Sequence, residues 1–416
     1  MEFLPSELQS LVYEKLSSGD MNSVSQCSRY CYSLVTPLLY KKLTLRFHAG
    51  IPERGTESAL RALSHRPCFH ALIRHIRVTS DGTRSWSDGH SALLSIVLSP
   101  ILAQTTNITA FSTSVSWKYT DHCFRDLKEL ESLRVQSSHE LIWVAWHLSN
   151  CTSLQRLRLG VSPYLPMITS HSLSPYLDLA RVKDLSLQCV DLRMVEPAPG
   201  AFRNLELNLC PGTDRFLEQL EGHNELKSFR LAGHVSGSTL STFLGKLGRS
   251  CRLEELALRI GNCSNNVNIA LIRPHFPSLK LLVLDYRREI TDPRSSKKFH
   301  FHQLQALLNM CPHLEYLGLP VEFRDAQGRR GQRKDIMVPP LLLRHLHLRG
   351  HCVPMDRTLK DAKYHLKCLR LDENLTLFVD HGSRMQKHAF GGDRFAGRLE
   401  VTQQEKHRFC LDLYML

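Results

Sequence analysis

A chain of 416 residues has ample material for one or two hydrophobic cores, so small size places no constraint on folding. Hydrophobic residues make up 42% and mean hydropathy is −0.22, and no apolar run approaches the roughly 18 residues of a membrane helix, which excludes a helical span. A net charge of +13 leaves acidic proteins, anionic surfaces and nucleic acid as electrostatic partners, although 8% aromatics argues against a base-stacking platform. Pro5, Ser6, Glu7 and Gln9 interrupt the start of the chain, so no signal-peptide pattern is expected there. The 13 cysteines form no C-x-x-C pair. Reduced thiols acting as small buried hydrophobes, in the cytoplasm and/or nucleus, are the expectation.

Residues 1–42 read as three short helices. Leu8, Leu11, Val12 and Leu16 fall at i, i+3, i+4 and i+8, one stripe of a helix that Pro5 opens and Ser17-Ser18-Gly19 ends. Asp20 is the expected cap of a second helix carrying Met21, Val24 and Cys27. A third carries Tyr32, Val35 and Leu38-Leu39, with Pro37 as a kink or stop. A bundle this small cannot bury all its apolar residues, so Leu4, Pro5, Leu8 and Tyr40 either await a partner or pack on the segment that follows.

The order Leu4-Pro5, Leu8, Val12, Leu16, Asp20, Val24, Cys27-Ser28-Arg29, Tyr32 and Pro37-Leu38-Leu39-Tyr40 resembles the F-box, particularly its fungal type. The resemblance spans about forty residues, a tenth of the chain. It implies a domain that docks the Skp-family adaptor of cullin–RING ubiquitin ligases. The adaptor-binding residues would be Leu4, Pro5, Leu8, Val12, Leu16, Val24, Cys27, Tyr32, Leu38 and Tyr40.

From residue 43 to 416 the pattern Leu-x-x-Leu-x-Leu recurs, beginning at Leu130, Leu154, Val182, Phe202, Leu226, Leu253, Leu279, Leu314, Leu343 and Leu366. The copies lie about 26 residues apart, a spacing within the leucine-rich-repeat range. Weaker copies start at Ile73 and Ile108, and Leu43-x-Leu45-x-Phe47 supplies a first strand. Helical spacing appears between them at His90–Gln104, Glu140–Leu148, Asp214–Glu221, Ser238–Leu247, Val267–Pro274 and His302–Met310. The expected fold is α/β: a short helical head, then an irregular leucine-rich-repeat-like αβ solenoid of about 11–13 strands, with a parallel sheet on its concave face.

In that register the residues flanking the second leucine face the concave side. They are Arg77, Arg134, Arg156, Arg158, Arg230, Arg259, His345, His347, Arg349 and Arg370, with the acids Asp184, Glu206, Glu255, Asp285 and Asp372. Guanidinium forks suit planar oxyanions, so these positions are candidates for holding an acidic or phosphorylated segment of a target protein. Mutual cross-strand pairing with the acids is the competing expectation.

Basic runs at Arg287-Arg288, Lys297-Lys298 and 324–334 read as solvated loops, His381–Arg398 as an irregular loop, and Phe409–Leu413 as a closing strand. His300-x-His302 and His345-x-His347 lack the further ligands of a metal site, so His300 and His302 are expected at the exposed start of a helix. No phosphate loop, nucleophile elbow or zinc-protease motif occurs, and no cofactor is implied. The expected protein is a non-catalytic, target-recognising subunit of a ubiquitin ligase. A leucine-rich-repeat interaction scaffold is the alternative, and nucleic acid binding through the basic surface the third reading.

Overall fold

The computed structural model describes residues 4–48, 51–81, 107–113, 127–135, 153–161, 181–195, 202–220, 224–261, 269–287, 298–322, 342–349, 375–381, 384–391 and 394–399, with single residues at 100, 104, 105, 151 and 179. The chain divides into two compact units, Met1–Val182 and Lys183–Leu416, each built on a mostly parallel β-sheet.

The first unit opens with helices α1 (Ser6–Tyr13), α2 (Ser18–Ser25) and α3 (Arg29–Lys41). Ser17 caps α2, its Oγ accepting the Asp20 N–H at 3.1 Å, and Ser28 caps α3 by accepting from Cys31 N–H at 3.0 Å. The cap expected at Asp20 therefore sits at Ser17. Asp20 lies in the first turn, where the helix dipole favours a carboxylate. Pro37 does not stop α3 but lies inside it. Its exposed position leaves the Ser33 carbonyl, deprived of its i+4 donor, open to water. Strand β1 (Lys42–His48) follows Lys41 directly, so the head joins the sheet without a linker.

β1 pairs with an antiparallel edge strand, β2 (Ile51–Pro52), and in parallel with β3 (His75–Asp81). The parallel ladder continues through β4 (Ala110–Thr113), β5 (Glu129–Val135) and β6 (Arg156–Val161). Leu43, Ile76, Phe111, Leu130 and Leu157 share one register position and all are buried. A helix not foreseen from the sequence, α4 (Arg54–His65), lies between β2 and β3 and buries Leu63. The repeat expected to start at Leu130 starts three residues earlier, at buried Leu127, because Leu130 aligns with Phe111 and Leu157. Leu133 had offered an equally good Leu-x-x-Leu match, and only strand pairing separates the two.

Among the described residues the second unit carries eight parallel strands. They are β7 (Asp184–Gln188), β8 (Asn204–Asn208), β9 (Ser228–His234), β10 (Glu255–Gly261), β11 (Leu281–Tyr286), β13 (Tyr316–Leu319), β15 (His345–Leu348) and β16 (Leu375–His381). Short β12 (Phe299–His300) and β14 (Val321–Glu322) pair separately. The segment read as an irregular loop at His381–Arg398 instead forms antiparallel strands β17 (Arg384–Gly391) and β18 (Arg394–Leu399). In the sequence, the pair Gly391-Gly392 suits a hairpin as well as an irregular loop, so the composition did not distinguish them. The repeat at Leu366, the strand at Phe409–Leu413, the run 324–334, Glu140–Leu148 and all but Pro100 and Gln104 of His90–Gln104 lie outside the described residues.

Leu185, Leu205, Phe229, Leu256, Leu282, Leu317, Leu346 and Leu377 form one buried column of this ladder. Helices cover the face it belongs to: α5 (Thr213–Gln219), α6 (Gly237–Ser250), α7 (Ile269–Ile272) and α8 (Phe301–Met310). Phe243 of α6 meets Phe229 with ring centroids 5.0 Å apart. Four of the expected helices are thus present to within a few residues. Gln303 accepts from the His300 N–H at 2.9 Å, so His300 does open α8 at an exposed position. Among the described residues no helix is long and apolar enough to cross a membrane.

His275, in the turn before β11, is fully buried, and its Nδ1 accepts the Leu253 N–H at 3.3 Å. Burial, assisted by the Arg252 charge, pushes its imidazole down to about 4. The unfolded chain takes up this proton near pH 6.5, so stability is fully present above that pH and is lost as pH falls toward 4. Denaturant unfolding at pH 7 and pH 4.5 should show the wild type losing about 2 kcal/mol more than His275→Asn, which keeps an acceptor but cannot ionise.

Candidate functional site

In a helix lying on a core, apolar residues face inward. α1 does the reverse. Leu8 and Leu11 are 47% and 58% exposed, Val12 is 41% exposed, and Leu4 just before the helix is 41% exposed. The polar Gln9 is buried, its Nε2 donating to the Leu4 carbonyl at 2.6 Å. Tyr13 is buried beside it, and burial pushes its hydroxyl up from the ordinary tyrosine value. Gln9 and Tyr13 are four apart, so they share the inward face, and the leucines are left on the outward one.

The remaining head residues named from the sequence divide. Pro5, Cys27 and Tyr32 are exposed, whereas Leu16, Val24, Leu38 and Tyr40 are half-buried. Tyr40 packs internally, its ring centroid 4.4 Å from that of Phe69. Arg66 lies over Phe69 at 5.5 Å and over Tyr32 at 6.0 Å, and donates to the Tyr32 hydroxyl. Leu11, absent from the expected contact set, is the most exposed residue of the stripe. Its i, i+3, i+4 relation to Leu8 and Val12 was the signal that could have included it.

The sheet face away from the helices holds the expected basic row in a different state. In the first unit Arg77 is exposed as expected. Arg156 pairs with Glu129 at 3.0 Å and Arg158 with Glu131 at 3.4 Å. Ser112 donates to the same Glu131 at 3.0 Å. Both glutamates were missed because they flank Leu130 only in the register that begins at Leu127. Arg134 is in β5, with its side chain outside the described residues, as is the whole of Arg370 and Asp372.

In the second unit Arg230 pairs with Glu255 at 2.8 Å. Asp184 accepts from Asn204 at 2.5 Å, and Glu206 from Ser186 at 2.9 Å. Cross-strand pairing, the competing expectation, is what these positions display. Further along the same face, charge is buried. Asp285 is 0% exposed, and Arg259, Arg287 and Arg349 are no more than 1% exposed. Arg349 Nε donates to Asp285 Oδ2 at 2.9 Å, and Arg287 Nε donates to it at 3.0 Å. Arg259 Nε stands 3.9 Å away. Burial alone would push the Asp285 carboxyl up, but the Arg349, Arg287 and Arg259 charges outweigh it and hold the group below the usual carboxylate range.

Arg349, just past β15, reaches Asp285 on β11 across the intervening β13. Gly318 in β13 lies beneath this crossing; a Cβ there would crowd Val283 Cγ2 at 3.1 Å and come into ordinary contact with Arg349 Cδ at 3.6 Å. Arg259, Arg287 and Arg349 are therefore not the exposed row or the loop residue expected of them. His347 is also buried, its ring edge-on to Phe378 at 6.4 Å, and His345 is half-buried and stacked on Tyr316 at 4.4 Å. A register reading places a side chain on a face without saying whether that face is covered.

Among the described residues no group of three His, Cys, Asp or Glu side chains is placed to hold a metal ion. Compared with known proteins, the chain matches no family model and none of the curated proteins searched.

Two stability experiments separate the outward stripe from the inward supports. Leu8→Glu with Leu11→Glu should leave unfolding free energy within about 1 kcal/mol of wild type, as expected of exposed positions, whereas Tyr13→Ala should cost about 3 kcal/mol. Asp285→Asn removes the carboxylate shared by three buried guanidinium groups and should destabilise the second unit by about 3–5 kcal/mol in denaturant unfolding.

Proposed function

We propose that the protein is a substrate-recognition subunit of a Skp/cullin/F-box ubiquitin ligase. In this reading the helical head docks the Skp-family adaptor and, through it, the cullin, while the repeat body holds a target protein. The observation that carries it is the inverted α1, with Leu4, Leu8, Leu11 and Val12 outward and Gln9 inward. Burying the remaining exposed part of these four side chains in a partner would contribute roughly 3–6 kcal/mol gross, which offsets part of the cost of association. These residues fall within the stretch that resembles the F-box.

We read the parallel ladder of each unit as irregular leucine-rich repeats, with one buried leucine column per strand position and helices on the returning segments. The direct passage from α3 into β1 supports the same reading, since a target held on the first unit would keep a set position relative to the adaptor. The chain itself would supply no bond-making residue; its contribution to ubiquitin transfer would be proximity. Such a role belongs to the cytoplasm and/or nucleus.

The test is co-purification of the full chain with a Skp adaptor and cullin. Wild type should retain the adaptor through gel filtration, and Leu8→Glu with Leu11→Glu should weaken binding at least about tenfold while the fold is kept. Failure of the wild-type protein to bind any Skp adaptor would overturn the ligase reading and leave an interaction scaffold.

A further inference from the structure

The residue just before each strand occupies one repeat position, the second of Leu-x-x-Leu-x-Leu. Backbone bonds fix it there. Arg203 N–H donates to the Lys183 carbonyl at 2.7 Å, Lys227 to Arg203 at 2.8 Å, Glu254 to Lys227 at 2.7 Å and Lys280 to Glu254 at 2.8 Å. The series goes on through Glu315, which donates to Lys280 at 2.8 Å, and Arg344, which donates to Glu315 at 2.9 Å. Along this edge of the second unit the residues therefore run Lys183, Arg203, Lys227, Glu254, Lys280, Glu315, Arg344.

The two ends of the run differ in charge balance. Glu254 sits between Lys227 and Lys280, at 3.0 and 2.8 Å, and hydrogen bonds from the two lysines hold its carboxyl down at about 2. From Glu254 onward, acids and bases alternate. At the other end Lys183 and Arg203 are both exposed and stand next to each other, with Lys227 beyond them shared with Glu254. Asp184 is turned to Asn204 and Glu206 to Ser186 on the sheet face, and Glu225 lies two residues before Lys227. In the first unit the same position reads Lys41, Arg74, Thr109, Lys128 and Gln155. There Lys41 is taken by Glu14 at 2.8 Å and Arg74 by the Asn107 carbonyl at 3.3 Å, so the densest cationic stretch is Lys183–Arg203–Lys227.

We propose that this edge is a docking surface for an acidic helix of a partner protein. The spacing selects the occupant. Neighbouring strands stand about 4.7–4.9 Å apart, and carboxylates one turn apart on a helix stand about 5–6 Å apart. Alternate residues of an extended strand are farther apart, at about 6.6–6.8 Å. Successive acids on one helix face therefore meet successive cations of the ladder with small side-chain adjustments. Nucleic acid is the poorer fit, because no large aromatic side chain is exposed among the described residues of the second unit to stack a base. The surface differs from the arginines of the sheet face, which are paired or buried. It does not rest on the adaptor reading, since binding here involves no residue of the head.

Fluorescence anisotropy of the full-length protein with a labelled helical peptide carrying Glu at i, i+4 and i+7 tests it, with no adaptor present. Lys183→Glu with Arg203→Glu should weaken binding about tenfold, and the milder Lys183→Gln with Arg203→Gln should lie between it and wild type. Arg54→Glu with Arg61→Glu, the same charge change on exposed positions of α4, should stay within about twofold. Absence of peptide binding by the wild type, or equal loss in the α4 control, would overturn the proposal. So would tighter binding of a labelled single-stranded oligonucleotide that is lost with the same Lys183 and Arg203 changes, which would assign the edge to nucleic acid.

Discussion

Parallel pairing in constant register is the constraint on which the rest of the structure depends. In both units each strand aligns one apolar residue near its start with that of the strand before, as in Leu43–Ile76–Phe111 and Leu205–Phe229–Leu256–Leu282, and the alignment stacks these side chains into buried columns. A slip of one residue would turn every leucine to the opposite face, so burial and register enforce each other. The helices that lie on those columns need only an apolar stripe, and α6 and α8 supply one with Leu240, Phe243, Leu244, Leu247 and with Leu304, Leu307, Leu308.

The same register dictates what happens to charge. Residues that alternate with the leucines share the opposite face, about 5 Å from their counterparts on the next strand, so arginine meets glutamate as a matter of geometry. Where the face is solvated, as at Arg156–Glu129 and Arg158–Glu131, such a pair is worth little to stability but neutralises the surface. Where it is covered, the charge must be compensated within hydrogen-bonding reach, and Asp285 is held by Arg287 and Arg349 with Arg259 close by. At the rim, just ahead of the strands, Lys227 and Lys280 still pair with Glu254, whereas Lys183 and Arg203 stand next to each other and exposed.

The head obeys a different economy. Three helices of 8, 8 and 13 residues enclose few side chains, and Gln9, Tyr13, Val35 and Thr36 are their buried set. With so little interior, an apolar stripe on α1 has nowhere to go but outward. Tyr40 and Phe69 meanwhile tie α3 to the segment that leads into β3. The contrast between an anchored third helix and an unburied first one is what gives the head a surface suited to a partner.

The sequence by itself determined the repeat, because a leucine pattern of about 26 residues names strands and helices through local periodicity alone. It also determined that the head would have more apolar surface than interior. Three outcomes belonged to the tertiary structure. Leu127 rather than Leu130 begins the third recurrence after Leu43, since both match the pattern and only pairing with Phe111 and Leu157 distinguishes them. The fate of Arg259, Arg287, Arg349 and His347 depended on whether their face is covered, which alternation along one strand does not encode. Which stretch of α1 is left outward followed from Gln9 finding the Leu4 carbonyl inside, a contact between two residues whose side-chain character alone would have assigned them the opposite places.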